Sequence, residues 1–302
     1  MHNIKTNYDI ILDICKLLLH DLILDDGNLR RYPNKPKMSD IQLIALSLTA
    51  ESLSIDSENH LFNKLKKEYF DDFASLIDRS NYNRRRKKLS TFISQLGHKI
   101  SNSIDPDCNT YIVDSMPIAI CKNARVCKSK ICKDDPDCLP SIGYHAVSKA
   151  HYYGYKLHLI MSKIGVPVTM GITPANISDI DFLKFEDVME VSDCQLLGDK
   201  GYISGPLQLS LFETHSVKLI TPNRANMKGQ TMWTKSKAYH RKKIETRFSQ
   251  LDDQFMAKRN YAKTSDGLIT RLVCKLSAVA ILQFVNFSNR KSINRIKCAL
   301  AA

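Results

Sequence analysis

The pattern of apolar and polar residues changes near residue 110, and this change divides the chain into two regions. Before it, apolar residues recur at helical spacing, for example from Ile41 to Leu48. Ser39 stands just before that stretch, and serine is a favoured helix N-cap. We therefore predict a helical region over residues 1–104 and a second domain over residues 105–302.

The second region begins with short runs of strand-forming residues. Two of them, Thr110–Asp114 and Cys194–Asp199, are apolar and end in an aspartate. Tyr152–Ile160 and Val166–Thr173 are predicted partner strands joined by a short turn, and Lys218–Thr221 is a further strand. Strands combined with helices predict an α/β domain in which helices pack on one central sheet.

A helical pattern begins at Ser236. Its apolar residues fall at positions i, i+4, i+7 and i+11: Ile244, Phe248, Leu251 and Phe255. Glu245 lies at the edge of this stripe, and Arg241 lies one turn earlier on the adjacent face. We predict that the stripe packs on the sheet and that Glu245 points toward the strand ends, although an exposed Glu–Arg pair is the alternative.

Composition and charge indicate a folded protein with a polyanionic partner. Of the 302 residues, 43% are hydrophobic and 25% are charged, which excludes general disorder. The net charge of +13, from 44 Lys+Arg against 31 Asp+Glu, favours binding to phosphates because it releases counterions. The alternative is a basic surface that only aids solubility.

The predicted location is the cytoplasm, with no membrane partner. The N-terminus does not resemble a secretory signal, and the nine cysteines, an odd number, favour reduced thiols. Ile10–Leu24 is interrupted by charged residues, and Leu276–Phe287 is shorter than the roughly 20 residues that a membrane span needs.

A basic loop is predicted at about residues 118–150. It contains four cysteines in the spacing C-x5-C-x4-C-x5-C: Cys121, Cys127, Cys132 and Cys138. Structural zinc sites usually have closer cysteine pairs. We therefore favour free thiols over a zinc site.

Two aspartates are the first candidates for chemistry. Asp114 and Asp199 each end an apolar run, and the carboxyl end of a strand is where α/β sheets commonly bind ligands. A charge after such a run is costly unless it is paired or bound to metal. Either aspartate alone could be a turn or cap residue, but the matching contexts favour a shared site.

The helical region contains a run of five cations that follows a turn-forming segment. The run consists of Arg84, Arg85, Arg86, Lys87 and Lys88. Short helices joined by turns, with a basic stretch opening the last one, favour a helix-turn-helix-like DNA-binding region. A solvated helix face is the alternative.

Several motifs occur together in one order. Asp114 lies in I-V-D-S-M-P, Asp199 in G-D-K-G-Y, and Glu245 in R-K-x-I-E-T-x-F-S. They resemble the catalytic triad motifs of bacterial insertion-sequence DDE transposases, and the closest group is the insertion sequences numbered nine-eighty-two. The resemblance covers about residues 105–285.

Related groups of these transposases carry a signature Tyr-x2-Arg-x3-Glu-x6-Lys on the helix that carries the glutamate. Arg241 and Glu245 fit this signature. Tyr239 is one position late, and Asp252 stands in place of the lysine.

The resemblance implies a fold, a reaction and a cofactor. The fold would be α/β, a ribonuclease-H-like mixed sheet flanked by helices and preceded by a helical N-terminal DNA-binding region. The reaction would be metal-dependent cleavage of DNA at element ends, followed by strand transfer into target DNA. Asp114, Asp199 and Glu245 would hold two Mg²⁺ (or Mn²⁺) ions, which prefer carboxylate ligands.

The resemblance also implies partners and their contacts. The partner would be double-stranded DNA, both terminal inverted repeats and target, bound by a homodimer associated with the bacterial nucleoid. Three residues, Lys156, His158 and Lys200, would approach the scissile phosphates, and three more, Arg241, Lys242 and Lys243, would grip the backbone. The alternatives are a catalytically inactive or domesticated DNA-binding derivative and a related metal-dependent nuclease.

Overall fold

A computed structural model describes residues 3–185, 191–224, 227, 233–259 and 261–300. The chain forms two compact units. The first consists of Met1–Ile104, Gln254–Met256 and Ile269–Ala302, and the second of Asp105–Asp253 and Ala257–Leu268. The C-terminal residues therefore group with the N-terminal helices.

The first unit is helical. Its helices are α1 (Ile4–Leu18), α2 (Asp40–Ser52), α3 (Glu58–Glu68), α4 (Arg79–Lys88), α5 (Ser90–Ile104) and the part from Ile269 onward of α9 (Ser265–Ser288). The predicted N-cap is confirmed, because Ser39 and Gln42 form a reciprocal capping box at the start of α2. Almost every residue of α2 is buried, so this helix runs through the core of the unit.

Two arginines of the predicted DNA-binding run are buried in the first unit. Arg85 is 7% exposed, and its guanidinium donates to Asp40 Oδ1 (2.6 Å) and to the carbonyl oxygen of Met38 (2.6 Å). Arg86 is 4% exposed and donates to Glu58 Oε1 (3.0 Å). The prediction that these two side chains contact DNA is corrected here, because each neutralises a carboxylate that would otherwise be costly to bury.

The other members of the run, Arg84, Lys87 and Lys88, are exposed or half-buried.

Helix α9 has the length and mean hydropathy of a membrane-spanning helix, but 89% of its most apolar window is buried in the protein. Two of its polar side chains have partners within the first unit. Lys275 Nζ donates to Glu51 Oε2 (2.7 Å), and Ser277 Oγ donates to the carbonyl oxygen of Ile93 (2.8 Å). These contacts are those of a core helix.

The second unit contains a mixed sheet. Its strands are β1 (Thr110–Cys121), β2 (Ser141–His145), β3 (Ala150–Ser162), β4 (Pro167–Pro174), β5 (Gln195–Leu197) and β6 (Lys218–Ile220). The order is β4-β3-β1-β5-β6, with β1 antiparallel to β3 and parallel to β5, and β2 pairs with the start of β3.

Three helices of the second unit flank this sheet: α6 (Asp179–Phe182), α7 (Gly205–His215) and α8 (Lys235–Asp253). Residues of α6 and α7 share one apolar core with β1, β3 and β5, and α8 packs on β1. The predicted ribonuclease-H-like fold class, a mixed sheet flanked by helices and preceded by helices, is confirmed.

Strand β1 is longer than predicted. The apolar run stops at Asp114, but the strand continues to Cys121 because β3 pairs with it over its whole length, from Tyr111–Ser162 to Cys121–Tyr153. Asp114 therefore lies within a strand and not at its end. The predicted basic loop is also shorter than expected, because Ser141–His145 forms β2, which pairs with β3.

The remaining loop contacts a tyrosine of the sheet. Tyr155 Oη lies 3.2 Å from the carbonyl oxygen of Cys132 and 2.9 Å from that of Cys138. All nine cysteines are free thiols. Burial, and next the charge of Asp134, raises the pKa of the Cys132 thiol to about 11, so this thiol is protonated at neutral pH.

Substituting Arg85→Ala tests the structural role of the buried arginines. The substitution leaves Asp40, which is fully buried, without its guanidinium, so we expect the free energy of unfolding to fall by about 3 kcal/mol or more in urea denaturation. Lys88→Ala is the control on the exposed side of the same helix, and it should change stability by less than about 0.5 kcal/mol. Equal stability of the two variants would contradict the assignment.

Candidate active site

Asp114 and Asp199 lie at the same level of the sheet, just past the point where the pairing of β1 with β5 ends. The last paired residues of the parallel strands β1 and β5 are Ile112 and Leu197, and each aspartate lies two residues further on. Parallel strands rise equally per residue, so the two carboxylates emerge side by side. Asp114 Oδ1 accepts a hydrogen bond from the backbone N–H of Ser115 (2.8 Å), and Asp199 Oδ1 accepts one from that of Gly201 (2.7 Å).

The glycines around Asp199 make room for its neighbours. A Cβ atom at Gly198 would lie 3.0 Å from the ring of Tyr202, which is fully buried. A Cβ atom at Gly201 would lie 2.8 Å from Asp199 Oδ1 and 3.4 Å from Asp179 Oδ2. The carboxylates of Asp199 and Asp179 therefore border the same small space.

Glu245 is exposed on α8, whose stripe residues Ile244 and Leu251 are fully buried. Two cations of this helix bind the turn between β3 and β4. Lys243 Nζ donates to the carbonyl oxygen of Lys163 (2.8 Å), and Arg247 Nη2 donates to that of Gly165 (2.8 Å). Lys243, predicted to grip DNA, thus holds the helix against the sheet.

Arg241 joins the first and third predicted acids. Its Nη1 lies 3.2 Å from Asp114 Oδ2, and its Nη2 lies 2.6 Å from Glu245 Oε1. The guanidinium predicted to contact the DNA backbone is therefore paired with two carboxylates in this structure.

Asp179, at the start of α6, is a fourth acid that the sequence analysis missed. Ser115 Oγ donates to Asp179 Oδ1 (2.8 Å), and Lys156 Nζ lies 3.2 Å from the same oxygen. Because Asp179 follows Ser178, a helix N-cap, it looks like an ordinary residue of a helix first turn. Its position soon after β4 was the available signal, since a carboxylate after a strand had also identified Asp199.

Burial and the neighbouring carboxylates raise the proton affinity of Asp114. Burial raises the pKa of the Asp114 carboxyl to about 7, and the charges of Asp199 and Asp179 add to this. The Ser115 N–H and the Arg241 guanidinium lower that pKa but do not offset the rise. Burial and the same three carboxylates hold the pKa of Tyr202 well above its usual value. Ionising Asp114 in this site is therefore costly.

A family model described as "Transposase DDE domain" matches residues 106–260, which is more than half of the chain. The chain belongs to the DDE transposase family.

Other comparisons give less. A cryo-EM structure of a piggyBac transposase synaptic complex with hairpin DNA is similar, with a TM-score of 0.42 and 9% identity, over 97% of this chain and 76% of that chain. None of the curated proteins compared matches this sequence.

DDE transposases generally use divalent metal ions, and the donors of this transposase suit such ions. Within the described ranges, no three His, Cys, Asp or Glu side chains converge as a ready-made metal site. Asp114 and Glu245 nevertheless lie close enough together to pair with one cation, the guanidinium of Arg241. Carboxylate oxygens are the ligands that Mg²⁺ and Mn²⁺ prefer, and Asp114 and Glu245 supply them here.

The remaining predicted contacts of the transposase differ in accessibility. Lys200 and Lys242 are exposed, whereas Lys156 is held by Asp179 and by the carbonyl oxygen of Ile177 (2.8 Å).

His158 is fully buried, stacks on Phe182 with ring centroids 4.2 Å apart, and is hydrogen bonded to Thr173 Oγ1 (2.8 Å). Burial lowers its pKa to about 4, so it is a neutral core residue, and the prediction that it approaches DNA is wrong.

The raised pKa of Asp114 predicts how stability depends on pH in metal-free buffer. The folded protein retains a proton that the unfolded chain releases near pH 4, so stability falls as pH rises from about 4 to about 7. Asp114→Asn removes this loss. At pH 8 the variant should be more stable than the wild type by roughly 2–4 kcal/mol, and at pH 4 the two should be alike.

Thermal unfolding in EDTA across this pH range measures the effect. Asp137→Asn, an exposed acid in the loop, is the control and should behave like the wild type. If the difference in stability between Asp114→Asn and the wild type is the same at pH 4 and at pH 8, the assignment is contradicted.

Proposed function

We propose that this chain is the transposase of an insertion sequence of the nine-eighty-two group, which cuts DNA at the element ends and joins them to target DNA. The observation that carries the proposal is the shared charge environment of Asp114, Asp199 and Glu245, which lie far apart in the sequence. Arg241 pairs with Asp114 and Glu245, and Asp199 raises the pKa of Asp114. Phosphoryl transfer depends mainly on positioning and charge neutralisation, and a cluster of acids from separate elements supports that chemistry.

In this proposal Asp114, Asp199 and Glu245 hold two Mg²⁺ or Mn²⁺ ions. Bound there, such ions would supply activation of the attacking water or 3′-hydroxyl and charge neutralisation at the departing oxygen. The backbone N–H groups of Ser115 and Gly201 orient the two aspartates by binding one oxygen of each. The β3–β4 turn orients Glu245, because it anchors α8 through Lys243 and Arg247.

Two kinds of anion can bind Arg241 in this scheme, a carboxylate and a DNA phosphate. Its planar guanidinium matches a phosphate as well as a carboxylate. We propose that Arg241 neutralises Asp114 and Glu245 in the metal-free protein and moves to a DNA phosphate when metal ions and DNA are bound.

Cations that remain accessible would bind the DNA duplex. They are Lys200 and Lys242 of the second unit and Arg84, Lys87 and Lys88 of the first. Such contacts position DNA without reading its sequence, so recognition of the inverted repeats is assigned to the helices of the first unit. A homodimer would bring two element ends together in the bacterial cytoplasm.

Substitution of the three acids tests the proposal. Asp114→Asn, Asp199→Asn and Glu245→Gln should each reduce cleavage of an element-end duplex in Mg²⁺ at least about a hundredfold, because each removes charge that stabilises the transition state. Binding of the same duplex in a gel-shift assay should persist. Glu213→Gln, an exposed acid on α7, is the matched control for Glu245→Gln and should cleave normally.

Three outcomes would favour another function. Full cleavage by all three variants would exclude this active site. Binding by the wild type without cleavage in Mg²⁺ or Mn²⁺ would indicate an inactive derivative, and cleavage without joining would indicate a nuclease.

Asp179 is proposed to position Asp114 through Ser115. Ser115 donates to both carboxylates, through its hydroxyl and its backbone N–H. Ser115→Ala and Asp179→Asn should therefore raise the Mg²⁺ concentration needed for half-maximal cleavage by about tenfold, the usual effect of losing a partner that orients a metal ligand. Ser115→Thr keeps the hydroxyl and should restore the wild-type metal dependence, and a general loss of structure would not be rescued in this way.

A further inference from the structure

A cleft of about 560 Å³ lies in the second unit at the far end of β1. It is lined by the last residues of β1, Ala119 to Cys121, by the following residues Lys122 and Asn123, and by Tyr152, Lys258, Arg259 and Tyr261. The cleft is wide open to solvent.

The chemistry of the lining is cationic and aromatic. Three of its residues are cations, two are tyrosines and none is acidic. Tyr261 is 63% exposed, and its hydroxyl lies 3.2 Å from Arg259 Nη2, so its ring stands next to a guanidinium. Asp252 pairs with Lys258 from outside the lining.

The basic character continues beyond the cleft. The segment that begins at Lys122 forms a short 3-10 turn, Asn123–Lys128, which is anchored where Asn123 Nδ2 donates to the carbonyl oxygen of His151 (2.8 Å). No acid occurs in this segment before Asp134. Its five cations are all exposed: Lys122, Arg125, Lys128, Lys130 and Lys133. A phosphate backbone can therefore follow this segment away from the cleft.

The cleft is connected to the acidic site by β1 and β3. Ala119 is five residues beyond Asp114 on the same strand, a distance of about 17 Å, which corresponds to about five nucleotides of a DNA strand. Tyr152 lines the cleft, and its pKa is raised to about 12 by burial and then by the charge of Asp179. Tyr152 lies on β3, the strand that pairs with β1 at Asp114.

Aromatic rings beside cations suit an unpaired nucleotide better than a duplex. Bases in a duplex are stacked on one another, whereas an unpaired base can stack on a tyrosine while its phosphate pairs with lysine or arginine. We propose that the cleft binds an unpaired nucleotide of a DNA strand, with its base on Tyr261 and its phosphate on Lys122 and Arg259. Only the assignment of that strand to an element end rests on the proposed function.

The test compares two DNA ligands with the full-length protein in EDTA, where no cleavage occurs. One is a blunt duplex, and the other is the same duplex with a single-stranded extension of about five nucleotides. Fluorescence anisotropy gives both affinities, and 2-aminopurine in the extension reports stacking through quenching. Tyr261→Ala should weaken binding of the extended duplex about fivefold or more, abolish the quenching and leave the blunt duplex unaffected.

Tyr261→Phe is the matched control, because it keeps the ring and removes only the hydroxyl. It should bind the extended duplex like the wild type. Lys122→Gln should reduce the salt dependence of this binding by about one counterion. Since Tyr261 and Lys122 are exposed, all three variants should keep the wild-type melting temperature.

The proposal is overturned if Tyr261→Ala binds both ligands like the wild type, or if it weakens both equally. It is also overturned if Tyr261→Phe loses as much affinity as Tyr261→Ala. Cleavage by the wild type in Mg²⁺ is measured separately. If the wild type does not cleave DNA but Tyr261→Ala selectively loses affinity for the extended duplex, the proposal for the cleft stands and the proposed function fails.

Discussion

The constraint on which the second unit depends is the crowding of negative charge where β5 ends beside β1. Asp114 is largely buried, and the charges of Asp199 and Asp179 add to the cost of ionising it. The surrounding groups offset part of this cost: one backbone N–H for each of Asp114 and Asp199, and a guanidinium shared with Glu245. These groups leave the pKa of Asp114 at about 7, so ionising this carboxyl remains costly in the fold.

The same constraint explains why so many cations near the site are structural. Lys156 pairs with Asp179, and Arg241 pairs with two acids. Lys243 and Arg247 bind carbonyl oxygens of the β3–β4 turn and so fix the helix that carries Glu245. The number of cationic side chains available to DNA is therefore smaller than the positive net charge indicates, because some of them pair with the acids or position them.

How much the sequence could predict depended on whether a residue's role was local. Most of the strands and the N-cap at Ser39 follow from local patterns, and the placement of Asp114 beside Asp199 follows from two such patterns. The length of β1 does not, because β3, some forty residues later, supplies the hydrogen bonds that extend it past a charged residue. Arg85 and His158 look like surface groups in sequence, yet Asp40 and Phe182, their distant partners, bury them. Asp179 was hidden for a similar reason, since only the fold brings Ser115 to it.

The unexpected length of β1 also has a functional consequence. A strand that ended at Asp114 would leave the following basic segment as a long loop with no fixed relation to the acids. Because β1 instead runs on to Cys121 paired with β3, with one register shift between Ala119 and Cys121, Lys122 and Tyr152 lie further along the strand pair from Asp114. The two paired strands thus link a carboxylate cluster at one point to a cationic, aromatic cleft further along. A DNA strand held at both points would have its phosphate at the acids fixed in position, and positioning is what phosphoryl transfer requires most from the protein.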